Sequence, residues 1–246
     1  MKLLYFGCMA QLRVREILDA ILEMHSAGIL EGKIINEEPC CGSVLIRTGN
    51  KVDAKINAEK VYAWLKKNNI DEIIAPCAGC ANTFREEYPK LIDGFDIKVK
   101  HLSQELNDLV KSGKLKLTGI INKKITYHDP CHLGRGMEIY EEPRELLKSI
   151  PGVNFTEMKR SRNHSRCCGA GGGVLSLFSE VALGPRSATE TIFKEIKSSR
   201  AKIIVTNCVF CYHTLKEGKK LAEKTKFDII DLPVLINKMR LGELIG

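Results

Sequence analysis

The sequence predicts an α/β fold. It reads as two pseudo-repeated domains of the Rossmann-like or flavodoxin-like kind, residues 1–117 and 118–246, each with a parallel sheet and one cysteine motif. Three observations carry this. Short apolar segments alternate with amphipathic helical ones along the chain, the pattern of a parallel sheet with crossover helices. The signature Pro39-Cys40-Cys41-Gly42 returns as Arg166-Cys167-Cys168-Gly169. Each copy is preceded by a lone cysteine, Cys8 or Cys131, and followed by a C-x-x-C pair, Cys77/Cys80 or Cys208/Cys211, which accounts for all 10 cysteines. The flanks repeat as well: Ile73-Ile74-Ala75-Pro76-Cys77 answers Ile203-Ile204-Val205-Thr206-Asn207-Cys208, and His101-Leu102 answers Asp231-Leu232. The period is too long for a solenoid unit and suits two domains of ordinary size.

The elements follow in order. Lys2 to Gly7 reads as a strand, and Val14, Ile17, Leu18, Ile21 and Leu22 then mark one face of a helix. Lys33 to Asn36 reads as a strand, Val52 to Asn68 as a helix and Glu72 to Ala75 as a strand. A helix from about Ala81 is expected to stop near Pro89, whose ring and missing N–H oppose continuation. Ile97 to His101 reads as a strand, followed by a helix with Ser103 as its N-cap. Gly113 to Asn122 is the linker. In the second half, Lys124–His128, Val153–Met158, Lys202–Thr206 and Phe227–Ile230 read as strands. Helices are expected from about Pro143 to Pro151-Gly152, over Pro185–Ser198, from about Tyr212 to Lys224, and after Pro233. Ligands of parallel α/β sheets sit beyond the carboxyl ends of the strands. Every cysteine group follows a predicted strand, so the five thiols of each half are expected at one edge of one sheet.

Composition narrows the function. A chain of 246 residues with 44% hydrophobic and 28% charged residues can bury a proper core. It is too long, and too poor in cysteine, for a small disulfide scaffold. Leu3 to Cys8 is too short an apolar run for a secretion signal, and no stretch is long enough to span a membrane. A cytoplasmic protein is expected, its thiols reduced and available to metal, with any membrane attachment peripheral and through a partner. The net charge of +8 comes from lysines scattered along helices, and aromatics make up only 6%. That argues against nucleic-acid binding, whereas a mild positive field suits an anionic substrate or an acidic redox partner.

Five thiols per half admit four chemistries. Structural zinc takes four thiolates in a tetrahedron and leaves one idle. A cubane iron–sulfur cluster also takes four. A C-x-x-C at a helix start is a dithiol redox site, but that leaves three further cysteines in register unexplained. A cluster using all five, with one thiolate bridging two irons, uses the full count. Adjacent cysteines point apart, which suits a polynuclear centre better than a single ion.

The pattern resembles the cysteine-rich CCG domain found in the B-type and D-type subunits of heterodisulfide reductase, and matches it twice over essentially the whole chain. Tyr127-His128-Asp129-Pro130-Cys131-His132-Leu133-Gly134-Arg135 and Arg166-Cys167-Cys168-Gly169-Ala170-Gly171-Gly172 look especially like the D type. The resemblance implies two noncubane [4Fe–4S] clusters, one on Cys8, Cys40, Cys41, Cys77 and Cys80, the other on Cys131, Cys167, Cys168, Cys208 and Cys211. Zinc in one half is the variant that some relatives imply. The activity implied is two-electron reduction of a small anionic disulfide lying between the two cysteine sets, with Cys41 and Cys168 as the ligands on which it depends. Related domain pairs also serve as electron-transfer subunits of lactate or glycolate dehydrogenases, and a zinc-stabilised interaction module is the remaining alternative. Many relatives carry a ferredoxin domain that this sequence lacks, so the implied partners are a ferredoxin-like iron–sulfur subunit and a flavoprotein.

Other residues are candidates of lower rank. His128 and His132 flank Cys131 and suit hydrogen bonding to a cluster or, for His132, proton transfer during catalysis. Arg135, Arg162, His164 and Arg166 suit either an anion site or a solvated basic loop. Trp64 is read as a core residue, and Gly169–Gly173 lacks the context of a dinucleotide fingerprint.

Overall fold

A computed structural model describes residues 1–222 and 225–246. Among the described residues, nine strands form three sheets, and every pairing is parallel. In the first half, β1 (Lys2–Leu4), β2 (Glu72–Ala75) and β3 (Lys98–His101) lie in the order β1-β2-β3. After the short β4 (Ile120–Ile121), the second half sets β5 (Lys124–His128), β6 (Asn154–Thr156), β7 (Ile203–Thr206) and β8 (Asp228–Asp231) in the order β6-β5-β7-β8. β9 (Leu244–Ile245) pairs with β4, so the expected linker contains a strand that ties to the end of the described chain.

The expected strand over Lys33–Asn36 does not form. A single bridge joins Lys33 to Leu3, through Leu4 N–H to Lys33 O and Lys33 N–H to Lys2 O. The chain leaves the sheet at Glu37, whose φ of 62° is left-handed, and so brings Glu38 over the end of β1. Position 33 therefore stands where β6 stands in the other half. The two sheets share one strand order, with that edge reduced to one residue in the first.

Several boundaries shift toward the cysteines. β1 ends at Leu4, and a helix spans Gly7–Leu12, so Cys8 lies in its first turn rather than in a loop after a long strand. The helix expected from Ala81 begins at Ala78, and the one expected from Tyr212 begins at Val209 and runs to Leu221. The expected end at Lys224 lies outside the described residues. Pro89 does not stop its helix. Thr83–Glu87 forms a π-helical turn in which Tyr88 N–H reaches Thr83 O, and Pro89 then sits in the first turn of Tyr88–Leu91, where its missing N–H costs little. The helix at Pro143 runs from Glu141 to Lys148. The short helix Ser43–Arg47, directly after the first Cys-Cys-Gly, is unanticipated, because five residues carry no readable period.

Packing between the halves is reciprocal. The last long helix of the first half, Leu102–Lys111, packs on Glu141–Lys148, the first long helix of the second. The last helix of the second half, Leu232–Arg240, packs on Arg15–Ser26, the first long helix of the first. Polar pins cross both seams. Asn107 Nδ2 donates to Glu145 at 2.6 Å, and Asn237 Nδ2 donates to Glu23 at 2.7 Å. One apolar core runs through both halves, with Trp64 packed against its margin.

The cap of Leu102–Lys111 is His101, not Ser103. His101 Nδ1 accepts from Ser103 N–H at 3.2 Å, so the proton belongs on Nε2, which donates to Pro76 O at 3.1 Å. Burial pushes this imidazole from 6.5 down to about 4. Between those values the folded chain binds fewer protons than the unfolded chain, so the contribution of His101 is full above pH 6.5 and is lost as pH falls toward about 4. The shift corresponds to a contribution on the order of 3 kcal/mol. Urea unfolding of the chain should weaken by that order between pH 7 and about pH 4, and His101→Gln should lose much less over the same window. Equal losses in both proteins would show that His101 does not carry this dependence.

Candidate functional site

The ten thiols face one another across the seam. A cavity of about 420 Å³ is lined by Cys8, Cys40, Cys41, Cys77 and Cys80 from one half and by Cys131, Cys167, Cys168, Cys208 and Cys211 from the other. All ten are unpaired as disulfides. Each set lies beyond the carboxyl ends of its own sheet, and the two sets face each other in a single chamber, as expected.

Local backbone explains the gathering. Cys77 and Cys208 are the N-cap residues of Ala78–Asn82 and Val209–Leu221, so each C-x-x-C straddles a helix start directly after a central strand. Helix N-termini favour thiolate. Each Cys-Cys is followed by a glycine in the left-handed region, Gly42 at φ 75° and Gly169 at φ 83°. A Cβ on Gly42 would lie 2.5 Å from Asn57 Nδ2, and one on Gly169 would lie 3.0 Å from Ala182 Cα. Conformation and space together therefore demand glycine at both positions.

The thiols within each set are close. Cys41 and Cys80 stand 3.3 Å apart, Cys211 donates to Cys168 at 3.3 Å, and Cys131 and Cys167 stand 3.8 Å apart. Hydrogen bonds from Cys41 and Cys8 pull the Cys40 thiol down to about 2, and bonds from Cys131 and Cys168 do the same to Cys167. The same thiol of each motif is thus the acceptor, and Gly169 N–H also donates to Cys167 Sγ at 3.4 Å. Cys77 is held well below the ordinary thiol range, first by Cys208 of the other half and then by Cys80. Soft donors in excess of four per half, one readily ionised in each set, fit a polynuclear iron–sulfur group. Among the described residues, no three His, Cys, Asp or Glu side chains converge on a position for a single ion.

The lone-cysteine loops are held by acids that the sequence does not advertise. In the first half, Glu38 accepts from Phe6 N–H, Gly7 N–H and Gln11 Nε2, all at about 3.0 Å, fixing the turn before Cys8 to the segment before Cys40. Burial nevertheless pushes its carboxyl up to about 7. In the second half, the loop supplies its own acid. Asp129 takes both guanidinium nitrogens of buried Arg144, at 2.7 and 2.9 Å, and also accepts from Arg162 N–H at 2.8 Å. Glu157 closes the other side of Arg144 at 2.7 and 3.0 Å.

His132 lines the cavity, with Nδ1 beside Gly79 of the other half's C-x-x-C; a Cβ there would lie 3.5 Å away. His128 is buried at the end of β5, and neither ring nitrogen has a partner among the described residues. Burial lowers the pKa of both imidazoles. Arg162, His164 and Arg166 stand apart from the cavity: Arg162 pairs with Glu141 and Arg166 with Glu195. Arg135 donates to Asn163 O and Ser165 O and, with Arg47 and Lys90, lines an adjoining open cleft of about 400 Å³ that also touches Cys131 and His132.

A family model described as the CCG cysteine-rich domain matches residues 3–85 and 125–216. The D-type subunit of the dihydromethanophenazine:CoB–CoM heterodisulfide reductase of Methanosarcina mazei is 37% identical over 212 residues, covering 84% of this chain and 50% of that protein. The B-type subunit of a CoM/CoB fumarate reductase from Methanothermobacter marburgensis is 34% identical, covering 87% and 41%, and a probable iron–sulfur-binding oxidoreductase of Bacillus subtilis is 34% identical, covering 89% and 32%. The chain belongs to the CCG cysteine-rich domain family. It spans about half the length, or less, of these curated relatives. Among solved structures, a hypothetical protein from Helicobacter pylori shares the fold with a TM-score of 0.65 at 11% identity, over 97% of this chain and 48% of that one. No helix among the described residues is long and apolar enough to cross a membrane.

The Arg144 cluster makes a direct prediction. Asp129→Asn leaves a buried cation with one carboxylate instead of two, and the chain should lose about 3 kcal/mol in chemical denaturation. A loss below about 0.5 kcal/mol, the range of an exposed pair, would mean that the cluster does not hold this loop.

Proposed function

We propose that the chain is an iron–sulfur redox subunit that carries two [4Fe–4S] groups of the noncubane type and reduces a disulfide by two electrons. The observation that carries this reading is the single cavity walled by five thiols from each half. Cys8, Cys40, Cys41, Cys77 and Cys80 would hold one group, and Cys131, Cys167, Cys168, Cys208 and Cys211 the other. Such groups, when bound, supply single electrons and iron with an affinity for thiolate sulfur. Disulfide cleavage consumes two electrons and two protons and yields two thiols, so two one-electron centres facing one chamber suit the stoichiometry.

The chain's own residues shape what enters. Phe6, Met9, Val44, Leu175, Leu177 and Phe210 give the cavity an apolar wall, with Cys8, Cys40 and Cys167 exposed at its mouth. Arg135, in the adjoining cleft, suits the anionic end of a substrate whose disulfide lies in the chamber, while Arg47 there is paired with Glu87. His132 borders both spaces, which supports a role in passing a proton between them. The electron donor is proposed to be a ferredoxin-like subunit or a flavoprotein. That a partner subunit exists is supported by relatives that are themselves subunits of reductases.

The test has two stages. Protein purified without oxygen should contain about eight irons per chain, with matching acid-labile sulfide. Stoichiometric zinc without iron would defeat the redox reading. Cys41→Ala should then retain the irons of the second half yet lose disulfide reduction, with Cys168→Ala the converse. If Cys41→Ala loses its own irons and keeps most of the activity, the first set is structural and the chemistry belongs to the second half alone.

A further inference from the structure

The two thiol sets are alike in ligands and unlike in what lies behind them. Register aligns the strand ends of the two halves. Ala75 pairs with His101, and Thr206 pairs with His128 and Asp231. Tyr5 continues β1 by donating its N–H to Ile74 O, so Tyr5, Pro76 and His101 in the first half stand where His128, Asn207 and Asp231 stand in the second. In the first half these positions satisfy themselves. Tyr5 Oη donates to Pro39 O at 2.6 Å, and His101 Nε2 takes Pro76 O while its Nδ1 meets Ser103.

In the second half, none of the three is satisfied by the described residues. His128 Nδ1 and Nε2, Asn207 Nδ2 and Oδ1, and both Asp231 carboxyl oxygens are buried without a partner. The residues are 1%, 0% and 1% exposed. A buried polar atom left unpaired is costly, and these three side chains stand together at three adjacent strand ends. All three flank the strand end that leads into the second thiol set. Asn207 directly precedes Cys208, and register sets His128 and Asp231 on either side of Thr206, two residues before Cys208.

We infer that Asn207 and His128 are positioning residues that donate hydrogen bonds to the group held by the second thiol set, so that the two centres are inequivalent and the second has the higher reduction potential. The inference rests on the reading that each set holds an iron–sulfur group. Hydrogen bonds to cluster and ligand sulfur stabilise the reduced, more negative state. Asn207 carries two N–H donors and a neutral imidazole carries one. The matching first-half positions offer nothing comparable, since the Tyr5 hydroxyl and the His101 Nε2–H are already given to carbonyls. The protein thereby orders two otherwise similar centres, and electrons collect first on the second half.

The experiment begins with iron and acid-labile sulfide counts on the anaerobically purified chain; a chain without them removes both the functional reading and this inference. With both sites filled, dithionite titration under mediators is followed by electron paramagnetic resonance. The two signals are assigned by which one disappears in Cys41→Ala and in Cys168→Ala. The second centre should be reduced first. In Asn207→Leu, the ratio of reduced second centre to reduced first centre at half-reduction should fall by about tenfold, the equilibrium equivalent of one net hydrogen bond. His128→Leu tests the same point independently should Asn207→Leu fail to fold. Tyr5→Phe, which removes a hydroxyl given to a carbonyl, should leave the ratio unchanged. Reduction of the first centre first, or an unchanged ratio in a filled and folded Asn207→Leu or His128→Leu, overturns the inference while leaving the iron–sulfur reading intact.

Discussion

Five thiols drawn into one buried space repel one another as soon as more than one ionises, and the rest of the architecture answers that constraint. Sulfurs at 3.3 Å, as in Cys41–Cys80 and Cys168–Cys211, cannot all carry charge in a low-dielectric chamber unless cations lie among them. The protein lets one thiol of each Cys-Cys ionise, Cys40 and Cys167, by aiming neighbouring S–H groups at it. It places Cys77 at a helix start, where the backbone dipole and the Cys208 thiol of the other half both favour thiolate. A group rich in cationic metal relieves what repulsion remains, so the binding of such a group and the stability of this fold are coupled.

The same constraint accounts for the twofold plan. Loops crowded with thiols contribute little cohesion, so the frame must come from elsewhere. Reciprocal packing supplies it: Leu102–Lys111 lies on Glu141–Lys148 and Leu232–Arg240 on Arg15–Ser26, each seam pinned by an asparagine on a glutamate. The seams bring the carboxyl ends of both sheets to one chamber. The lone-cysteine loops are then fixed by acids of opposite origin, Glu38 reaching in from outside the first loop and Asp129 reaching out from within the second. Sequence divergence between the halves has kept the geometry and changed the means.

Much of this was legible in the sequence because cysteine spacing and strand periodicity are strong signals. The repeated Cys-Cys-Gly, the parallel α/β plan and the gathering of thiols beyond the strand ends all follow from local pattern. What escaped depends on contacts distant in sequence or on segments too short for a period. Lys33–Asn36 looks like a strand, but Glu37 adopts a left-handed backbone and turns the chain away after one bridge. Pro89 looks like a stop, but a π-helical turn delivers it to a first-turn position. His101 displaces Ser103 as a cap because its ring also reaches Pro76 O on the neighbouring strand's end, a contact no local rule contains. Glu38 and Arg144 carry no motif, Asn207 and Asp231 lie in the repeated flanks without standing out there, and the surroundings of all four exist only once the sheets are assembled. The meeting of the two thiol sets, by contrast, was expected from the twofold repeat, and the seam is what brings it about.

On the proposed function, each thiol set holds its own iron centre within this one cavity. Diffraction from crystals grown without oxygen, with anomalous differences collected on both sides of the iron absorption edge, tests it most directly. The account predicts two resolved iron peaks in the chamber, one beside Cys40 and Cys41 and the other beside Cys167 and Cys168. A single peak shared by the two sets, or anomalous signal from zinc with none from iron, would contradict it.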